Sequence, residues 1–226
     1  MDISIVIPVY NSKNTIERSA AELKKALPLL GRESEILFCD DGSPDESRAV
    51  LEKLSGQSPD IRCFYNDKNY GLGFTLRKLF QAAQGRYIIY CDCDLPFGTE
   101  VLAGLAEEIQ KYDVVVVSRY LGGKNQIPAL RRGLSRCYYF LCKILFKISV
   151  HDIGSGTVAF KKSALAVLDL KADGFTIHIE WLKQAREKHL SVREIAAATR
   201  EFIPGSFNII KHGPRAVWDT IKLCFQ

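Results

Sequence analysis

The sequence predicts an α/β protein with a mainly parallel central sheet covered by helices on both faces. Short apolar runs, rich in Ile, Val and aromatic residues, alternate with segments of helical period. The runs are apolar along their length, as strands buried on both faces must be, and helices must then supply the covering layers. Polar, charged and glycine residues collect just where the runs end, which is where parallel sheets bind ligands.

Ile3–Val9 (ISIVIPV), Glu35–Cys39 (EILFC), Ile61–Tyr65 (IRCFY), Arg86–Cys91 (RYIIYC) and Asp113–Ser118 (DVVVVS) read as the strands. Between them Ile16, Ala20, Leu23 and Leu27 recur at helical spacing, and so do Leu102, Leu105 and Ile109. Around the end of the first run stand Pro8, Tyr10 and Asn11. Asp40, Asp41, Gly42 and Ser43 follow the second; Asn66, Asn69, Gly71 and Gly73 follow the third. Asp92 and Asp94 follow the fourth, and Ser118 and Arg119 close the fifth.

The stretch IIYCDCDLPFGTE sets Asp92 and Asp94 one residue apart, so on an extended backbone both point the same way. Two carboxylates that close repel unless a cation, hydrogen bonds or water intervenes. An exposed acidic turn and a pair aimed at one ligand are the competing readings. NYGLGF lacks the context of a dinucleotide-binding turn and is no P-loop. Its glycines permit either a tight turn near a ligand or a plain loop.

With 226 residues, 47% apolar and 25% charged, the chain makes one large domain or a domain with a tail. A net charge of +5 is mild, and no nucleic-acid partner is expected. The seven cysteines lack metal-like spacing, and Cys39, Cys63 and Cys91 end apolar runs; small buried hydrophobes in a reducing cytosol are the expectation. The N-terminus begins directly with a strand-like run, so no secretory signal is expected. No apolar stretch reaches the roughly 18 residues that span a bilayer.

Taken in order, IPVYNSKNTI, CDDGSPDES, NYGLGFTLRKLFQAAQG, YCDCDL and VSRY resemble a family 2 glycosyltransferase with the nucleotide-sugar-binding GT-A fold. RRGLSR, HDIGSGTVAFKKSAL and DGFTIHIEWLKQA narrow the resemblance to the dolichyl-phosphate mannose synthase branch and its polyprenyl-phosphate relatives. The resemblance implies a GT-A domain over residues 1–206, with 1–118 binding the nucleotide sugar and 119–206 the acceptor. An amphipathic, membrane-proximal tail over 207–226 would follow.

It further implies transfer of a hexose, with inversion, from a donor of GDP-mannose or UDP-glucose type to a polyprenyl or dolichyl phosphate. Asp92 and Asp94 would hold Mg²⁺ or Mn²⁺ at the diphosphate, with Asp92 also near the donor. Pro8, Tyr10, Asn11, Asp40, Asp41 and Gly71 would shape the nucleotide pocket; capping of the next helix is the alternative for Asp41 and, less so, for Asp40. Arg119, Arg131 and Ser135 fall where the family holds the acceptor phosphate, and Arg132 is an equally sensible local choice. Asp152, in HDIGSG, would orient or deprotonate the acceptor, or else stabilise its loop. Glu180 has a catalytic or a buried structural reading.

With Ser135–Val150 and the residues just before it placed on a helix, Arg132, Arg136, Lys143 and Lys147 share one side, while Tyr139, Leu141, Leu145 and Ile148 occupy the others. That pattern suits a helix lying on an anionic bilayer. Near the C-terminus Trp218, Ile221 and Phe225 share a side, away from Arg215 and Lys222. A cytoplasmic protein, peripheral at the cytosolic face of a membrane, is the expectation, with a membrane-anchoring partner subunit as an open option.

Four positions depart from the family pattern. Pro96 stands where a polar residue is usual, Phe202 and Asn208 replace a basic pair that contacts phosphates, and Ser12 replaces an acidic residue. Arg200 or Lys211 would then take over the phosphate contact. The departures keep a catalytically silent nucleotide-sugar binder as an alternative; a transferase with the same fold and nucleotide pocket acting on a glycan is another.

Overall fold

The computed structural model describes residues 1–56, 58–122, 129–200 and 217–225. Its strands are β1 (Ile3–Val9), β2 (Ser34–Asp40), β3 (Ile61–Tyr65), β4 (Tyr87–Cys91), β5 (Val114–Ser118), β6 (Thr157–Lys161) and β7 (Val192–Ala196). They form one seven-stranded sheet in the order β3–β2–β1–β4–β6–β5–β7. Pairing is parallel throughout except at β6, which runs antiparallel to β4 and to β5. The five expected strands are present to within one residue at each end, and β6 and β7 are additional.

The helices are α1 (Lys13–Ala26), α2 (Ser47–Ser55), α3 (Leu72–Ala82), α4 (Val101–Glu108), α5 (Ala129–Phe146), α6 (Lys162–Ala166) and α7 (Ile177–Glu187). Alternate strand residues face opposite layers. Ile5, Ile7, Phe38, Ile89 and Val115 pack with Ile16, Leu23, Leu51 and Leu105 from α1, α2 and α4. Val6, Leu37, Tyr90, Val116 and Phe160 pack with Leu76, Leu79, Phe146 and Trp181 from α3, α5 and α7. Each large aliphatic side chain buried in these layers contributes about 1.5–3 kcal/mol.

The basic, apolar helix starts earlier than expected, at Ala129, and ends at Phe146. Lys147 takes a left-handed backbone (φ 54°), which stops it. Ile148, expected on the helix, is therefore beyond it and buried. Residues 217–222 form a further helical stretch. It is tied down by a hydrogen bond between the Tyr138 and Thr220 hydroxyls at 2.6 Å and by Lys183 Nζ donating to the Leu223 carbonyl at 2.9 Å. Phe202, Asn208, Lys211 and Arg215 lie outside the described residues. All seven cysteines are free thiols. Among the described residues, no helix is long and apolar enough to cross a membrane.

This topology builds a single working edge. The parallel strands β1 to β5 all finish on it, and β6, running the other way, begins there.

Candidate active site

At the end of β2 the two neighbouring aspartates are put to different uses. Asp41 is buried, and its carboxylate is fully engaged with the loop after β3. Oδ1 accepts from Asn66 Nδ2 at 2.9 Å and from the Tyr70 N–H at 3.0 Å; Oδ2 accepts from the Gly71 N–H at 2.8 Å. Asp40, also buried, accepts among the described residues only long bonds from the Ser43 N–H, at 3.3 and 3.4 Å. Neither caps α2, contrary to that alternative: Asp45 Oδ1 takes the Ser47 N–H at 3.0 Å instead. Asp40 is thus the one with acceptor capacity to spare.

Gly71 has φ +99°, and a Cβ there would strike the Asp173 carbonyl. Its freedom serves a close approach between this loop and the backbone at 172–173, where the Gly73 N–H donates to the Asp173 carbonyl at 2.6 Å. Pro8 is half-buried within β1, and Tyr10 beyond it is exposed. Asn11 adopts φ 53° and its N–H donates to Ser43 Oγ at 3.0 Å, which joins the loops after β1 and β2.

Asp92 and Asp94 leave β4 half-buried. The Asp92 N–H donates to the Gly156 carbonyl at 2.7 Å, and the Tyr90 hydroxyl donates to Asp92 Oδ1. Burial, reinforced by the Asp94 charge, pushes the Asp92 carboxyl up to about 7. Burial also raises Asp94, against the opposing pull of Arg18 and Arg119. Such a pair asks for positive charge, and its oxygen-only donors suit a hard divalent cation. Among the described residues no third His, Cys, Asp or Glu completes a cluster. A cation there would therefore draw its other ligands from water and phosphate oxygens, the habit of Mg²⁺.

Opposite stands Arg119, at the end of β5. Its Nε donates to Asp152 Oδ2 at 2.7 Å, its N–H to the same oxygen at 3.1 Å, and its Nη2 to the Gly154 carbonyl at 2.8 Å. Burial raises the Asp152 carboxyl even against the Arg119 charge. The 152–156 loop is anchored by Ser155 Oγ donating to the Val117 carbonyl at 2.5 Å. From β7, Glu194 accepts the N–H groups of His151 and Asp152 at 2.9 and 3.0 Å.

Arg131, Arg132 and Ser135 belong to α5, but their side chains lie outside the described part of the structure. Glu180 is buried and accepts the Lys171 N–H at 2.9 Å and the Ala172 N–H at 2.9 Å, a structural use. Arg200 pairs with Glu22 at 2.5 Å and Glu100 at 3.3 Å, while its N–H donates to the Pro96 carbonyl at 2.9 Å. Tyr90 and Glu194 are participants that the sequence reading misses. Tyr90 carries a signal, since i and i+2 on a strand share a side; Glu194 carries none.

A family profile described as Glycosyl transferase family 2 matches residues 4–168. Dolichol-phosphate mannosyltransferase from Pyrococcus furiosus is 32% identical over 187 residues, covering 80% of this chain and 52% of that protein. Glycosyltransferase AglD from Haloferax volcanii is 27% identical over 201 residues, 86% of this chain and 32% of that protein. The chain thus spans between about a third and a half of the length of these two relatives. Glucosyl-3-phosphoglycerate synthase from Mycobacterium tuberculosis, crystallised with Mn²⁺, uridine diphosphate and glucosyl-3-phosphoglycerate, superposes with a TM-score of 0.74. That match covers 99% of this chain and 79% of the other at 18% identity, a likeness of fold.

Proposed function

The chain belongs to glycosyl transferase family 2, and from that premise we propose that it transfers a hexose from a nucleoside diphosphate sugar to a polyprenyl phosphate. The observation that carries the reading is one sheet edge bearing the Asp92–Asp94 pair and, facing it, Arg119 locked by Asp152. The names of the relatives, dolichol-phosphate and undecaprenyl-phosphate sugar transferases, support the lipid acceptor.

Asp92 and Asp94 would hold Mg²⁺ or Mn²⁺, which supplies charge neutralisation for the departing nucleoside diphosphate. Asp40, with Pro8, Tyr10 and Asn11, receives the nucleoside. Arg119, with Arg131 and Ser135 of α5, holds the acceptor phosphate, and Arg119 comes to it preset in one orientation. A phosphate oxygen then attacks the anomeric carbon with inversion. That oxygen is ionised near neutral pH, so no strong base is needed. Asp152 serves by orienting Arg119, a role that suits an oxygen already accepting two of its N–H groups.

The lipid reaches the site from a membrane on which the protein lies. On α5, Arg136, Phe140, Lys143 and Ile144 recur at helical spacing and are all exposed, Ile144 to 76%. Trp218 and Ile221 add exposed apolar surface from the helical stretch beside α5. Cations interleaved with large apolar groups fit an anionic bilayer surface, here assigned to the cytosolic face.

The test incubates the protein with radiolabelled GDP-mannose or UDP-glucose, Mn²⁺ and a polyprenyl phosphate. Label should enter the organic-extractable fraction and should stay behind with Asp94→Ala, whose folding is checked by circular dichroism. A water-soluble labelled glycan would replace the acceptor in this reading. Donor binding without turnover would mark a silent binder, the reading that Pro96 favours because its side chain offers no ligand.

A further inference from the structure

We propose that Tyr90 is a positioning residue for the cation site, its hydroxyl holding the Asp92 carboxylate in one orientation there. The inference rests on the reading that Asp92 and Asp94 bind a divalent cation, and it adds a residue that this reading did not contain.

Tyr90 and Asp92 stand two apart at the end of β4, so their side chains leave the same side of the sheet. The Tyr90 hydroxyl donates to Asp92 Oδ1. Oδ2 accepts no hydrogen bond among the described residues. It sits where a side chain at position 156 would go, since a Cβ on Gly156 would strike it. The carboxylate is thus bounded by Tyr90 on one oxygen and by bare backbone on the other. The Asp92 N–H bond to the Gly156 carbonyl, at 2.7 Å, fixes the main chain beneath it.

The tyrosine cannot drift. It is completely buried, with its ring 6.0 Å from that of Trp181, edge-on, and 5.8 Å from that of His178, both on α7. Trp181 is in turn wedged on Phe160 of β6 at 5.2 Å. A rigid aromatic seat therefore transmits the placement of α7 to one carboxylate of the pair. Partners that orient a ligating group in this way commonly carry a 10–100-fold share of metal affinity. A phenylalanine at position 90 would keep the packing and lose only the hydroxyl.

The experiment measures free Mn²⁺ by electron paramagnetic resonance in titrations of wild type, Tyr90→Phe and Asp92→Ala, with UDP or GDP present. Tyr90→Phe should bind Mn²⁺ about 10–100-fold more weakly than wild type. Its melting curve should stay within a few degrees of wild type, and its nucleotide binding in EDTA should not change. Wild-type Mn²⁺ affinity in Tyr90→Phe overturns the role of Tyr90 alone. Wild type binding no better than Asp92→Ala overturns the cation site itself, and this inference with it.

Discussion

Arg119 spends two donors on a single oxygen of Asp152, from Nε at 2.7 Å and from its own N–H at 3.1 Å. The carboxylate is 3% exposed and the guanidinium 20%, so neither is well served by water. Removing one partner leaves the other charge stranded, a loss of about 3–5 kcal/mol for a buried pair. Asp152→Ala should therefore unfold at clearly lower urea than wild type. Asp152→Asn, which keeps an acceptor oxygen, should lose less stability yet still raise the KM for the lipid phosphate. Equal stability of the Ala variant and wild type would show that the pair is not a structural lock.

The neighbours Asp40 and Asp41 should separate cleanly under mutation. Asp41→Ala removes the acceptor of one Asn66 Nδ2–H, which keeps Thr75 Oγ1 for the other, and of the part-buried N–H groups of Tyr70 and Gly71. It should cost several degrees of melting temperature. Asp40→Ala should leave the melting temperature nearly unchanged and weaken nucleoside diphosphate binding in calorimetry.

His178 supplies a pH dependence. Burial, aided by the Arg119 charge, lowers its imidazole from 6.5 to about 3, and its Nε2 is buried without a partner among the described residues. The unfolded chain takes up this proton near 6.5 and the folded protein only near 3. Its contribution is complete above pH 6.5 and drains away as pH falls towards 3, at up to about 1.4 kcal/mol per pH unit. His178→Phe should show a flatter fall of stability between pH 6 and 4 in denaturant titrations. An unchanged slope would place the imidazole in contact with solvent.

Vesicle sedimentation tests the exposed face of α5. Phe140→Glu combined with Ile144→Glu should abolish binding to vesicles rich in anionic lipid and leave thermal stability intact, because both side chains face outward. Arg136→Glu with Lys143→Glu should weaken the same binding mainly at low salt.

Legibility in the sequence followed the locality of the physics. Ile3–Val9 and Val114–Ser118 announce themselves because a doubly buried strand must be dense in branched apolar residues. Thr157–Lys161 does not: five residues inside a loop motif become a strand only because β4 and β5, distant in the chain, leave a slot between them. Val192–Ala196 is only partly buried at the sheet edge and carries a mixed pattern. At the site, the spacing of Asp92 and Asp94 marks a candidate pair, although both stand in the turn beyond β4 and the family resemblance is what separates them from an exposed acidic turn. The division of labour between Asp40 and Asp41 is not, because it depends on which carboxylate meets the amides of the 66–71 loop.

The reversed strand β6 has an architectural corollary. Because it enters the sheet at the very rim where β4 and β5 leave it, the excursion from Arg119 to Ser155 starts and finishes on one side of the molecule. Replacing that excursion by a relative's would cut no backbone ladder of β1 to β5, so under the proposed function such a chimaera tests whether this segment selects the acceptor.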